Sequence, residues 1–390
     1  QRETYPLLDP NNLPLTLLRE TNGDRVLVSI PLPAGRELHA QVWEANVGRA
    51  PLLLLDSNVP ENDEASRSVT DRLYGGSAQH RLEQELHLGI GGVKALREYE
   101  RITGAPHPDV YHCNEGHAGF MAIERLRELM ESDAALSFGA AIEAVKAATL
   151  FTTHTPVPAG IDRFDKNLVR QYLNVVPLPN VDVESVLDLG KETYEGGNPH
   201  VFNMAILGLR MARMANGVAK LHGETSRNMF HMLWPGFDVA AVPITSNGVH
   251  GPTWRDPAFT AMAYDYLTPE QDSEGSMWLA EGSQGGVPTE VLWDMRKELR
   301  TKLVHESRQR MRQSWLERGA SPAEVGWTDS VLDPDILTIG FARRVPTYKR
   351  LTLMLSDPDR LLRLLTHPTR PVQLVIAGKS HPDDEQGVSL

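Results

Sequence analysis

ILTIGFARRVPTYKR, residues 336 to 350, is an apolar run that breaks abruptly into a cluster of cations. Ile336, Leu337, Ile339 and Phe341 have the composition of a buried parallel strand, and Arg343, Arg344, Lys349 and Arg350 follow at its carboxyl end. Open α/β sheets place their ligands at that end. Pro346 suits the first turn of a helix whose apolar positions are Leu351, Met354 and Leu355, which sets Lys349 near a helix N-terminus. Fixed cations beside free N–H groups suit an anion there, phosphate above all. A solvated strand edge also carries cations, but in so acidic a chain four of them among eight residues stand out.

The chain has 390 residues, 41% hydrophobic and 23% charged, enough for two or three domains with sizeable cores. A formal net charge of −12 and a pI near 5.6 argue against a general binder of nucleic acid or anionic membrane. The expected partner is a small molecule or a neutral polymer. Cys113 is the single cysteine, so no intrachain disulfide forms, which suits a reducing cytoplasm. No apolar run approaches the length of a membrane span, and no signal-like segment opens the chain. The chain starts at Gln1 and stops at GVSL without a tail signature, so the expectation is an excerpt of something longer.

Outward from the opening stretch, α and β segments alternate. RVLVSIPL (25–32), ELHAQVWEANV (37–47) and PLLLLDS (51–57) are strand candidates separated by Pro, Gly and Asn. A helical pattern runs from about His80 to Glu100 with Leu82, Leu86, Val93 and Leu96 on one face. Gly89, Gly91 and Gly92 inside it fit close helix packing, since their spacing is not that of a phosphate-binding GxGxxG after a strand. A short strand follows Pro106, HCNEGHAGFMAIERLREL (112–129) passes from loop into helix near Asn114 or Glu115, and a second helix spans about 139 to 148. The strand TLFTTH ends at His154, a long helix with a break at Gly217 covers 203 to 230, and VAAVPIT is a further strand. Residues 255 to 330 are mostly helical, with a charged helix around 289 to 318, before the rhythm resumes through DPDRLLRLL to the strand PVQLVIAGK (371–379). Two α/β blocks joined by a helical span suggest a pair of domains with a boundary near Asn247 and Gly248.

Few constellations carry chemistry by themselves. His112, Glu115 and His117 lack the HExxH spacing of a helical zinc site and an evident third ligand, so no metal is expected. His154 ends a strand between Thr153 and Thr155, where a substrate can meet its ring and its carbonyl; a capped structural histidine is the alternative. Glu115 and Asp162 could form a glycosidase pair, but any acidic protein offers such pairs. GxSxG and P-loop patterns are absent. Asn247 and Gly248 are either a turn or an exposed amide suited to a sugar hydroxyl.

Taken together, HCNEGHAGF (112–120), FTTHTPVPAG (151–160), MANGVAKLHGE (214–224), ITSNGVHGPTW (244–254) and GFARRVPTYKR (340–350) resemble the glycogen/α-glucan phosphorylases, particularly the bacterial branch. The resemblance covers essentially the whole chain. It implies the GT-B fold, two Rossmann-like α/β domains facing a cleft, with residues 1–248 as the glucan-binding domain lacking its start and 249–390 as the truncated beginning of the cofactor and phosphate domain. It implies retaining phosphorolysis of α-1,4-glucan with inorganic phosphate to give glucose 1-phosphate, with pyridoxal phosphate as cofactor. Arg344 and Lys349 match the pair that grips the substrate phosphate and, with His154, stand as the catalytic residues. Arg343 and Trp254 match residues near the cofactor phosphate, Asn247 an amide on the glucosyl unit, and His117 another active-site histidine on the substrate side. Thr347 stands where many members carry histidine. The cofactor's Schiff-base lysine belongs to a Gly-Met-Lys segment absent from this chain, and the family's Gly-Gly-Leu-Gly loop is absent as well. The resemblance further suggests a cytoplasmic enzyme, open to allosteric control and to a homodimer, without nucleic-acid or membrane partners. Two other readings compete: a GT-B glucan synthase using a nucleotide sugar, and a non-catalytic glucan-binding remnant.

Overall fold

Alternating apolar residues make the strands that open the chain. In the computed structural model, which describes residues 8–72, 76–155, 161–248, 250–274, 286–343, 350–380, 387 and 389, β1 (Thr16–Leu17) and β2 (Leu27–Leu32) pair antiparallel with the long β3 (Arg36–Val47), and β4 (Ala50–Asp56) pairs along its far half. Val28, Ile30, Leu32, Leu38, Ala40 and Val42 are buried at period two, as one covered face requires. That cover includes the helices Ala78–Leu86 and Gly92–Thr103, which are joined by a π-turn, His87–Gly91. The expected helix thus carries a turn of wider pitch. Gly89 lies in it, and a Cβ there would come within 2.7 Å of the Met121 nitrogen and of Phe120. Glycine lets this rod pack directly on the segment that opens the helix Met121–Ser132.

The rest of this unit is a parallel sheet with helical crossovers. β5 (Tyr111–Asn114) lies beside β6 (Thr149–Thr153), which follows the helix Phe138–Ala147. A small antiparallel pair, β7 (Arg163–Asp165) and β8 (Val201–Asn203), encloses the helices Lys166–Leu173 and Val183–Leu187. Then come the helix Met204–Arg210, β9 (Met214–Gly217), the helix Lys220–Phe230 and β10 (Ile244–Ser246), giving the order β10-β9-β6-β5 with all strands parallel. The long helix expected over 203–230 is therefore two helices with a strand between them. Its Ala- and Met-rich centre has high helix propensity, yet Ala215 and Asn216 are buried between β6 and β10, and tertiary pairing overrides propensity. Likewise only Ile244–Ser246 of VAAVPIT is strand, and the helix after His112 begins at Met121 behind a 3-10 turn, Gly116–Ala118. Phe120 and Phe202 stack at 5.9 Å in the main core, with Leu82, Leu86, Ile90 and Leu126 fully buried around them.

This compact unit spans Leu7–Gly248, and a second starts at Val249. In the second, the short helices Gly251–Trp254 and Pro257–Tyr266 precede the 29-residue helix Thr289–Glu317. Arg300 and Arg308 of that helix donate to the carbonyls of Pro334, Val331 and Leu332 and so hold the approach to β11 (Leu337–Ala342). β11 runs parallel to β12 (Val372–Ala377), with the helix Pro358–Leu365 between them. The strand of the opening stretch is thus present, but not buried: Leu337 and Ile339 are more than half exposed, because only β12 pairs with β11 among the described residues. The helix expected from Pro346 has its first turn outside the described residues, and Leu351–Leu355 forms a 3-10 turn preceded by Arg350 at φ 54°. No helix among the described residues is long and apolar enough to cross a membrane.

Candidate functional site

The carboxyl ends of strands β5, β6 and β10 lead into three of the expected residues. β5 ends at Asn114 and leads through Glu115 to His117, β6 ends at Thr153 with His154 next, and β10 ends at Ser246 with Asn247 next. Parallel strands expose unpaired backbone and strand-end side chains at this edge, which is why such sheets bind ligands there. The Asn247 N–H donates to the Gly217 carbonyl at 3.0 Å, and this leaves its exposed side chain at the rim. Gly217 itself permits close approach: a Cβ would lie 2.8 Å from the Gly223 nitrogen and the His222 Nδ1.

His154 is exposed, but it is held from two sides. Its Nε2 lies 2.5 Å from Asn114 Oδ1, and its backbone N–H donates to Glu115 Oε2 at 2.6 Å. The same oxygen accepts from the Thr155 N–H at 3.1 Å and the Thr155 hydroxyl at 3.0 Å, while Oε1 accepts from the Gly116 N–H at 3.1 Å. Glu115 takes φ 70° and ψ 171°. Behind the edge, His112 Nε2 meets the Thr152 hydroxyl at 2.5 Å, and that hydroxyl donates to buried Asn216 at 2.9 Å.

His117 belongs to a different cluster. Its Nδ1 lies 3.1 Å from Asp162 Oδ2 and 3.8 Å from Glu85 Oε1, and one Arg81 nitrogen lies 2.8 Å from that Asp162 oxygen and 3.3 Å from that Glu85 oxygen. Asp162, then Glu85, raise His117 to about 9. Burial raises Glu85 to about 7 despite His117. Burial would raise Asp162 too, but His117 and Arg81 hold it below the usual carboxylate range. Glu85 Oε2 is buried without a hydrogen-bond partner. The three acidic and imidazole donors lie within 4.8 Å of one another, a spacing a metal could use. The Arg81 guanidinium already supplies a cation to both carboxylates, so this is a self-neutralised set of charges.

The structure disperses two groupings considered from sequence. His112, Glu115 and His117 turn to Thr152, to His154 with Thr155, and to Asp162. Glu115 and Asp162 each bind their own donors, the His154 and Thr155 N–H groups in one case and Arg81 with His117 in the other. Sequence reasoning missed Arg81 and Glu85, whose i,i+4 placement on one helix was the available signal. It also missed Thr152 and Asn216, which nothing local marks.

In the second unit, Trp254 ends its short helix 80% exposed. Arg343 follows β11, exposed, with its N–H donating to the Ala377 carbonyl at 3.0 Å. Arg344 and Lys349 lie outside the described residues.

No family model matches the chain. It is similar over 100% of its length to the glycogen phosphorylase of Mycobacterium tuberculosis (strain CDC 1551 / Oshkosh), at 52% identity, and covers 45% of that protein. It is 34% identical to the maltodextrin phosphorylase of Thermococcus litoralis over 99% of its length, covering 44% of it. It is 33% identical to the glycogen phosphorylase of Aquifex aeolicus over 90% of its length, covering 49%. The chain thus spans about half the length of these curated relatives.

Proposed function

We propose, for a chain that belongs to the glycogen phosphorylase family, that the protein it forms cleaves α-1,4-glucan with inorganic phosphate, with retention, and releases glucose 1-phosphate. The observation that carries this reading is 52% identity to a glycogen phosphorylase over the full length of the chain. We take the whole protein to have the GT-B layout, with Leu7–Gly248 as its glucan-binding domain and the segment from Val249 as the start of its phosphate and cofactor domain. The setting we assign is the cytoplasm.

The described side chains support these roles. His154, its N–H and Nε2 committed to Glu115 and Asn114, presents its carbonyl and Nδ1 to a glucosyl unit at the sheet edge. Asn247, anchored by its backbone, offers its amide to the same sugar. His117, held as an imidazolium by Asp162 and Glu85, lies two residues beyond Glu115 and acts as a fixed donor on the substrate side. Arg344 and Lys349 grip the phosphate; a dianion held beside a developing oxocarbenium ion lowers the barrier because these cations need not reorganise as charge separates.

Pyridoxal phosphate is the cofactor we assign to the whole protein, and its phosphate would supply the group that exchanges protons with the substrate phosphate. Arg343 suits such an anion, as an exposed cation at the carboxyl end of a parallel strand, and Trp254 has an open face to pack beside it. With that source of protons, no free carboxylate pair is required, in accord with the engaged state of Glu115 and Asp162. The test is glucose 1-phosphate release by the whole protein from maltodextrin and orthophosphate. Transfer of glucose from UDP- or ADP-glucose without pyridoxal would reject the proposal, and so would maltodextrin binding without turnover.

A further inference from the structure

We propose that Glu115 is a positioning residue that locks His154 into its ligand-facing pose by tying the end of β5 to the end of β6. This rests on the phosphorolysis reading for its functional consequence, but the tie itself is a matter of geometry.

Three features set Glu115 apart. The first is its backbone: φ 70° with ψ 171° lies in a region that side chains with a Cβ avoid, and glycine would hold it at no such cost. The contacts of its side chain offset that cost. The second is its acceptor load. Oε2 takes the His154 N–H, the Thr155 N–H and the Thr155 hydroxyl, and Oε1 takes the Gly116 N–H. With three donors on it, Oε2 has no lone pair left to remove a proton or to attack a sugar carbon, and it serves as a structural acceptor. The third is the direction of the tie. The Glu115 N–H donates to the Thr152 carbonyl at 2.8 Å, so backbone and side chain both reach across to the β6 strand and its exit.

The unusual φ is what allows this. An ordinary extended residue would continue β5 and send its side chain to one face of the sheet. Turned to positive φ, Glu115 sends it over the edge to the two amides beyond Thr153. Its neighbour Asn114 holds the His154 ring at 2.5 Å. Two adjacent residues thus fix both backbone and ring of a histidine 40 positions away, a second hydrogen-bonded shell of the kind that keeps a site in register.

The experiment compares Glu115→Gly and Glu115→Gln in the whole protein by backbone amide exchange and by phosphorolysis kinetics. Glycine accepts the backbone angle and removes the carboxylate; glutamine keeps the size but turns an NH2 toward a donor. We expect exchange at His154 and Thr155 to accelerate on the order of 10-fold or more in Glu115→Gly, and less in Glu115→Gln. With it, kcat per folded enzyme should fall on the order of 10-fold, while KM for phosphate stays within about twofold, since the phosphate grip belongs to other residues. A residue that only supported folding would reduce the folded fraction and leave kcat of the remainder intact. Unchanged kcat, or unchanged exchange at His154 and Thr155 in both variants, overturns the proposal. If the wild-type protein does not phosphorolyse glucan, the functional reading falls, and the exchange data alone decide the tie.

Discussion

Glu85 is 2% exposed, beside a guanidinium, an imidazolium and a second carboxylate. Its raised pKa, about 7 against 4.5 unfolded, means that the folded state binds a proton the unfolded state has released. The stability this contributes is complete below about pH 4.5 and is lost as pH rises through 7. His117, raised from 6.5 to about 9, contributes stability that is complete below 6.5 and lost as pH rises through 9. Both act in the same direction, while His87, which burial lowers from 6.5 to about 4, acts oppositely between those values, so the three together weaken the unit above about pH 6.5. Glu85→Gln imitates the protonated acid and should remove the lower part of that slope. Thermal melts at pH 5 and 7.5 should show the wild type losing about 3 °C more than the variant, and parallel losses would contradict this. At this scale the sequence marks His154, Asn247 and His117 as candidates, since they stand in short motifs around strand ends. It does not show Arg81 with Asp162, or Thr152 with Asn216, because these partners are separated by 81 and 64 residues and meet only after folding.

Among the elements, the two-part helical rod of residues 78–103 gives a clean contrast between neighbouring glycines. Gly89 leaves no room for a Cβ against Phe120 and Met121, whereas a Cβ at Gly92 meets nothing within 4 Å. Gly89→Ala should destabilise by about 1–3 kcal/mol through overpacking. Gly92→Ala, at the start of a regular helix, should be neutral or stabilise by up to about 1 kcal/mol. Denaturant midpoints for the two variants check this, and equal shifts would count against the packing role of Gly89. The apolar alternation of β2 and β3 is legible because it keeps one period over many residues, and the charged helix Thr289–Glu317 because it is rich in good helix formers and holds no Gly or Pro. β9 is not. Four residues of Met, Ala, Asn and Gly inside a helix-forming run carry no strand signal, and the slot between β6 and β10 alone makes them one.

For the whole molecule, the proposed function assigns sugar binding to Leu7–Gly248 and phosphate and cofactor binding to the segment from Val249. Arg344→Ala or Lys349→Ala in the whole protein should lower phosphorolysis on the order of 10²-fold and raise KM for phosphate, with maltodextrin affinity retained. Loss of maltodextrin binding in either variant would contradict the division. The α/β rhythm is visible in the order of strands and helices. The exposure of Leu337 and Ile339 is not, since composition states what a strand suits and not how many neighbours pair with it. The most direct test of the sheet-edge site is His154→Ala, assayed for glucose 1-phosphate release from maltodextrin and orthophosphate. The account predicts a fall in kcat on the order of 10²-fold with KM for phosphate unchanged; a variant that turns over at the wild-type rate would contradict it.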